Sequence, residues 1–364
     1  MRADGARRAG TLASELARWF AREARTLPWR RTPPDPYAVW LSEIMLQQTT
    51  VAAVVPYFER FLERFPDVES LARAPLERVL ESWAGLGYYR RARHLHAAAK
   101  EIAKRGFPRT AVALEELPGI GPYTAGAIAS IAFDERAPLV DGNVARVLSR
   151  IYRVPGDPRG GEARRRLWEI AGELVPAAGA GAHNQALMEL GALVCAPTSP
   201  RCEECPVARH CGARAQGEVE RFPELAPRAK AKSRRDLALL VAREGRALFA
   251  RRRADEVWGG LWELPRVTLL AGESDADAIR RLGRELLGCA ARPGEGPLAA
   301  TRHTVMRERI ELRVIAGTVR GEPRALKHEE LRWVSPREID GLALPSPQRR
   351  VAAAVKKQLD QRAR

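Results

Sequence analysis

Four cysteines crowd the stretch "CAPTSPRCEECPVARHC", at Cys195, Cys202, Cys205 and Cys211. Thiolates this close in sequence can enclose one metal centre. Disulfides are not expected, because the opening "MRADGARRAG" lacks the apolar core of an export signal. The C-x6-C-x2-C-x5-C spacing holds one C-x2-C pair where zinc ribbons bring two, yet spacing alone leaves zinc and an iron–sulfur cluster both open. Cys289 stands apart and is expected to fill a core. A second stretch, "LPGIGPYTAGAI", suits an anion. Gly119 and Gly121 permit a tight backbone path, and Pro122 fits the first position of a helix running through Ala125, Ile128 and Ala129. The free amides of that helix start favour a phosphate, in a contact blind to base sequence; a helix-turn-helix corner needing glycine for packing is the plainer alternative. Two carboxyls complete the set. Glu43 lies among Trp40, Ile44 and Leu46, where partial desolvation raises a carboxyl pKa toward the range useful for an acid; its plainer reading is a helix-surface glutamate. Asp141 precedes an amphipathic run of Val144, Val147, Leu148 and Ile151, where a helix cap is the plainer reading.

The elements that must position these residues are mostly helical. From 11 to 216, segments such as "AVWLSEIMLQQ", "LERVLESWAGLG" and "VARVLSRIY" carry apolar residues at three- and four-residue spacings, with Pro- and Gly-rich breakers between them. The character changes at "ELAPRAKAKSRRD", read as the heart of a basic linker spanning 218–235. Beyond it, "LALLVAREGRALFARR" reads as a hairpin, "DADAIRRLGRELLG" as a helix and "RIELRVIAGTVR" as a strand, so the second domain, 236–350, is expected to be α+β. A chain of 364 residues suits two such domains. No apolar run approaches a membrane span, so no membrane partner and a cytoplasmic location are expected. Lys and Arg outnumber Asp and Glu 61 to 45, a net charge of +16 that favours an anionic polymer as partner.

With the helical "ALEELP" before it, "LPGIGPYTAGAI" (about 114–130) resembles the helix-hairpin-helix of the endonuclease III superfamily of DNA glycosylases. The cysteine pattern is similar to that superfamily's [4Fe–4S] loop (195–211). This implies a cluster of structural function, pinning a loop whose Arg201, Arg209 and His210 can approach phosphate. Breaking an N-glycosidic bond calls for an acid on the departing base and a carboxylate beside the sugar cation. "SEIMLQQT" and "VDGNVARV" look like the two active-site signatures of MutY-type adenine DNA glycosylases. The resemblance makes Glu43 the proton donor to adenine N7 and the group that handles water, Asp141 the stabiliser of the sugar cation or its adduct, and Asn143 an orienting neighbour. Bifunctional members carry a lysine where this chain has Tyr123. A phenol forms no Schiff base, so base excision without strand cleavage is implied, with Tyr123 packed against the carboxylate pair. Lys100 and Lys104 are the amines elsewhere to which weak lyase activity could fall. The resemblance also places Gln48 and Tyr88 as wedges beside the opposite base, with Leu46 and Thr49 adjoining, Arg30 and Glu189 near the flipped adenine, and Gly119 and Gly121 at the DNA backbone.

"WGGLWELP" resembles the Nudix fold. A working Nudix hydrolase would follow it with clustered glutamates, whereas "RRLGRELLG" leaves Glu285 nearly alone, and magnesium-dependent hydrolysis is not expected. In the MutY family this domain reads 8-oxoguanine. Several relatives carry Phe-Ser-His after "RHT", but Val305, Met306 and Arg307 follow here, leaving His303, Thr304 or backbone groups to meet the lesion. The fold class expected is a mainly α helix-hairpin-helix glycosylase domain (1–217) with an iron–sulfur loop, then a smaller α+β Nudix-like domain. The partner expected is double-stranded DNA with adenine opposite 8-oxoguanine or guanine, bound by a monomer at the nucleoid. The rival readings are a thymine or oxidised-pyrimidine glycosylase on the same scaffold, which the Nudix-like tail disfavours, and a non-catalytic iron–sulfur DNA-binding protein, which gives no reason for Glu43 and Asp141 together.

Overall fold

The computed structural model describes residues 2–227 and 231–362. The linker read at 218–235 falls partly on 228–230, which lie outside the described residues. Contacts divide the chain into two compact units, one of Met1–Ala74 with His94–Pro227, the other of Pro75–Arg93 with Arg228–Arg364.

The first unit is helical. It holds α1 (Arg2–Glu23), α2 (Pro36–Leu46), α3 (Val51–Arg64) and α4 (Val68–Arg73). After α5 (Leu76–Trp83) and the first turn of α6 (Arg90–Arg105), which group with the second unit, come α7 (Ala111–Glu115), α8 (Pro122–Phe133), α9 (Gly142–Tyr152), α10 (Gly161–Leu174), α11 (Ala180–Leu193) and the short α12 (Gly212–Ala215). Two of these helices are apolar all round and therefore central. Asp35 caps α2 by accepting from the Tyr37 amide at 3.0 Å, and every residue from Tyr37 to Met45 is buried. In α8, Pro122 takes the first position and Thr124 to Ser130 are buried. A Cβ on Gly126 would lie 2.0 Å from the Pro138 carbonyl oxygen, so glycine lets α8 lie directly on that strand of backbone. One face of α9 sends Val144, Val147, Leu148 and Ile151 into a core shared with Leu12, Leu16, Leu167 and Leu190. Burial of this kind stabilises by about 2 kcal/mol per large side chain.

The second unit is built on a mixed sheet of β1 (Lys232–Arg243), β2 (Arg246–Arg251), β3 (Trp262–Glu263), β4 (Arg266–Thr268), β5 (Ala290–Val305), β6 (Glu308–Arg320) and β7 (Glu330–Val334), with α13 (Asp275–Leu282), α14 (Pro336–Ile339) and α15 (Ser346–Arg362). The main path runs β3-β2-β1-β6-β5, with β4 also on β1 and β7 on β2. β1 and β6 are parallel, which explains why "LALLV" reads as one unbroken apolar run: both faces are covered. Leu237, Leu239 and Val241 pack with Ala278, Ile279 and Leu282 of α13. Ala238 and Leu240 share the opposite core with Val351, Val355 and Leu359 of α15. The hairpin expected around Glu244 and Gly245 is present, both residues having positive φ as a two-residue primed turn requires. The strand starts earlier than the sequence suggested. Lys232 to Arg235 pair with β6, and Arg234 is held by Asp236 and Glu308. The fold also continues past 350, because α15 carries core residues as far as Leu359. Among the described residues, no helix is long and apolar enough to cross a membrane.

Candidate active site and cysteine loop

A cavity of about 760 Å³ opens in the first unit where the C-terminal part of α2, the start of α8, the start of α9 and α11 meet. Glu43, Tyr123, Asp141 and Asn143 all line it, as do Arg30, Leu46, Gln48, Thr49, Gly121 and Glu189. Glu43 is no surface glutamate; it is 5% exposed. The Tyr123 hydroxyl donates to Glu43 Oε2 at 2.7 Å and also reaches Met188 Sδ at 3.4 Å. Burial pushes the Glu43 carboxyl up to about 7. The Asp141 charge adds to that rise, while the bond from Tyr123 and the charge of Arg30 oppose it. Asp141 is both a helix cap and a wall of the cavity. Its carboxylate accepts from the Val144 amide at 2.7 Å, and burial raises its pKa against the pull of bonds from Val144 and Asn143 and the charge of Arg146. Burial and the two acids hold the Tyr123 phenol well above its ordinary value, so it is a neutral donor.

Glu189, 1% exposed, has a different environment. It accepts three bonds from Arg25, at 2.8 to 3.0 Å, and two from Arg30, at 3.0 and 3.3 Å. Burial would raise its carboxyl, but these bonds outweigh burial and hold it at about 2. Arg25 lay outside the sequence reading; its one signal was a second arginine five residues before Arg30.

The hairpin glycines divide in role. Gly119 adopts φ +80, and a Cβ there would meet His94 at 2.5 Å. Gly121 has an extended backbone and open space where a Cβ would stand, so the tight path expected of both glycines needs only Gly119. Gln48, exposed at the end of α2, has φ +59. Tyr88 and His303 group with the second unit. Tyr88 is 53% exposed with φ +49, and the Arg91 guanidinium lies 5.3 Å from its ring centre. His303 does not face outward: both ring nitrogens are buried without a hydrogen-bond partner, and the ring packs on Trp258 at 5.7 Å. Burial, then the charge of Arg266, pushes its pKa down to about 4. The side chain that projects from the β5–β6 tip is Met306, 85% exposed with φ +53.

The four clustered cysteines and Arg150 line a cavity of about 30 Å³. Among the described residues, no three His, Cys, Asp or Glu side chains form a group that could hold a single metal ion. Arg150 is almost wholly buried, donating to the carbonyls of Ala196, Pro197, Val219 and Phe222 at 2.7 to 3.1 Å and reaching Cys195 Sγ at 3.3 Å. One turn earlier, Arg146 donates to the Cys195 carbonyl at 2.8 Å, to Asn143 Oδ1 at 2.8 Å and to the Gly191 carbonyl at 2.7 Å. These two arginines went unread in the sequence, although their four-residue spacing on the helix that Asp141 begins was visible. The loop's other cations carry partners, although Arg201 and Arg209 stay exposed, at 54% and 65%. Arg201 binds the Leu193 carbonyl and Glu204, while Arg209 and His210 both bind Glu15 of α1.

In the second unit, Asp236 and Glu263 are each 1% exposed. Arg234 and Arg266 bind the first; Arg252 and Arg266 bind the second at 2.6 and 2.8 Å. Glu285 pairs with Lys327 at 2.9 Å.

Residues 41–173 match the family of HhH-GPD superfamily base excision DNA repair proteins, and 237–354 match the NUDIX domain. The chain is 34% identical over 252 residues to an adenine DNA glycosylase of Buchnera aphidicola subsp. Acyrthosiphon pisum, covering 68% of this chain and 72% of that one. It is thus a member of the adenine DNA glycosylase family. The human adenine DNA glycosylase is 47% identical over 218 residues, 57% of this chain and 40% of that protein, so the chain spans less than half the length of that relative. A thermostable thymine-DNA glycosylase structure superposes with a TM-score of 0.51 at 29% identity, over 58% of this chain and 98% of that one.

Proposed function

We propose that this chain is a monofunctional adenine DNA glycosylase acting as a monomer at the cytoplasmic nucleoid, on duplex DNA in which adenine faces 8-oxoguanine or guanine. The observation that carries the reading is a shared cavity holding Glu43 and Asp141, with a phenol, not an amine, bonded to the first. Adenine swung out of the duplex enters that cavity, where Arg30 and Glu189 meet its edge. Glu43, protonated up to about pH 7, gives its proton to N7. As the bond from the base to the sugar breaks, the electron pair leaves with the base and the Asp141 carboxylate faces the developing sugar cation. Water adds to that carbon, and the Glu43 carboxylate takes the water's proton. The Asp141 carboxylate is held in place throughout by its bonds within the α9 cap.

Cys195, Cys202, Cys205 and Cys211 would hold a 4Fe–4S cluster. The donor set fits one: four thiols line one cavity with a buried guanidinium that offsets the anionic charge. When bound, the cluster supplies a fixed crosslink of the loop. The test incubates protein with labelled duplexes pairing A with G, 8-oxoguanine, C or T, and adds a T:G duplex, with alkali to cleave abasic products. Release of adenine from the first two, with no strand cleavage before alkali, is expected. Release of thymine would support the rival activity instead, and borohydride trapping lost on replacing Lys100 or Lys104 would overturn the monofunctional reading.

A further inference from the structure

Three of the four residues Gly85, Leu86, Gly87 and Tyr88 have positive φ, at +104, +77 and +49 for the two glycines and the tyrosine. Glycine accepts this region, but tyrosine does not take it without restraint from its surroundings. Part of the restraint is local: Trp83 Nε1 donates to the Gly87 carbonyl at 3.0 Å, and Arg91 donates to the same oxygen at 3.2 Å. Two further contacts tie the segment to the sheet-bearing part of its own unit. The Tyr89 hydroxyl accepts from the Gly85 amide at 3.2 Å and donates to the Leu344 carbonyl at 3.3 Å. Arg93 Nη2 donates to the Gly259 carbonyl at 2.7 Å. The corner that receives Arg93 has room for nothing else, since a Cβ on Gly260 would lie 1.6 Å from Arg93 Nη2 and the residue has φ +71. The glycine pair of "WGGLWELP" thus has an occupant within this chain.

We propose that Arg93 and Tyr89 are positioning residues, through which the Gly259–Gly260 corner and the Leu344 carbonyl fix Tyr88 in the posture that reads mispaired duplex. The assignment rests on the glycosylase reading for what Tyr88 touches, and on the hydrogen bonds alone for what holds it. The sheet-bearing part of the unit then contributes to mispair selection by setting the backbone of a residue that precedes it in sequence by some 140 positions or more.

The test uses the full chain in two arms. In the first, backbone amide exchange across 84–92 is compared between the parent, Arg93→Ala and Arg93→Lys. Exchange at least tenfold faster in the alanine variant, and partly restored by lysine, is expected; unchanged exchange overturns the proposal. In the second, anisotropy measures binding of A:8-oxoguanine and matched T:A duplexes by Asp141→Asn protein bearing Arg93→Ala, Tyr88→Ala or both. Each single change should cut the selectivity ratio roughly tenfold, and the pair should cut it no further. Additive losses overturn the proposal. If Arg93→Ala does not fold, Tyr89→Phe carries both arms. A parent protein that excises no base from any mispair would sink the glycosylase reading, and the exchange arm would still decide the anchor.

Discussion

Buried carboxyls occur in both units, and their fates are opposite. Glu263, in the second unit, is as deeply buried as any acid in the chain, yet two guanidinium groups hold its pKa below the ordinary range. Glu43, in the first, has a phenol at hydrogen-bond distance and, among the described residues, no cation bonded to it, and it rises to about 7. Burial therefore raises a carboxyl's pKa only where no cation is bonded to it. The contrast is a matter of neighbours: β3 and β4 bring Glu263 and Arg266 three residues apart around a proline corner, whereas the helix bearing Glu43 has no basic residue along its length.

The widest separation should come from neutralising the acids in turn. Asp141→Asn and Glu43→Gln should each lower single-turnover adenine release by roughly a thousandfold, about 4 kcal/mol of transition-state stabilisation. Anisotropy should show that duplex binding survives both changes. Glu263→Gln should do the reverse, leaving release intact and lowering urea-measured stability by about 3–5 kcal/mol, because two guanidinium groups lose the buried charge that matched them. A Glu263→Gln protein of unchanged stability would break the comparison.

Next in size is a pH effect. The Glu43 carboxyl has a folded pKa of about 7, above its ordinary value, so the folded state holds a proton that the unfolded chain has already lost. Its contribution to stability is complete below the ordinary carboxylate range and is lost as pH climbs through about 7. Glu43→Gln should consequently be the more stable protein at about pH 8, by roughly 3 kcal/mol, with the advantage gone near about pH 4. Thermal melts of the two proteins across that range would show it. In the parent, adenine release should fall about tenfold per pH unit above the same midpoint.

Much of this was legible before any coordinates. The all-round apolar run of "PYAVWLSEIML" marks a central helix, and that alone predicts a desolvated Glu43. Asp141 before an amphipathic run reads as a cap, and it is one; the cavity it also lines depends on α11 arriving from forty residues away. The helix-hairpin-helix, the β1–β2 hairpin and the α13 helix were visible as local patterns. What stayed hidden was pairing across the chain. Arg25 with Glu189, Arg150 among carbonyls and Arg93 in the glycine corner are each set by tertiary contact, and a lone arginine in an arginine-rich sequence carries no mark of it. His303 illustrates the converse: period-two alternation in β5 turns its ring into the interior, so proximity to the hairpin tip does not expose it.

The finest test lies with Glu189, which shares the cavity with Glu43 but takes up the charge of Arg25 and Arg30. Arg30 is also the cation that opposes the rise at Glu43. With Glu189 ionised, most of that charge is spoken for; with Glu189→Gln it is not, and the carboxylate form of Glu43 should gain. The midpoint of the release-versus-pH curve should therefore move to lower pH, by on the order of half a unit, at the effective dielectric that suits buried sites. The plateau rate will also fall, because Glu189 lines the same cavity, but a change in amplitude does not move a midpoint. Stability should drop less than for Glu263→Gln, since Arg25 is 35% exposed and can return to water. A midpoint that stays at about 7, or rises, would mean that Glu43 does not sense Arg30, and that burial, Tyr123 and Asp141 set its proton affinity.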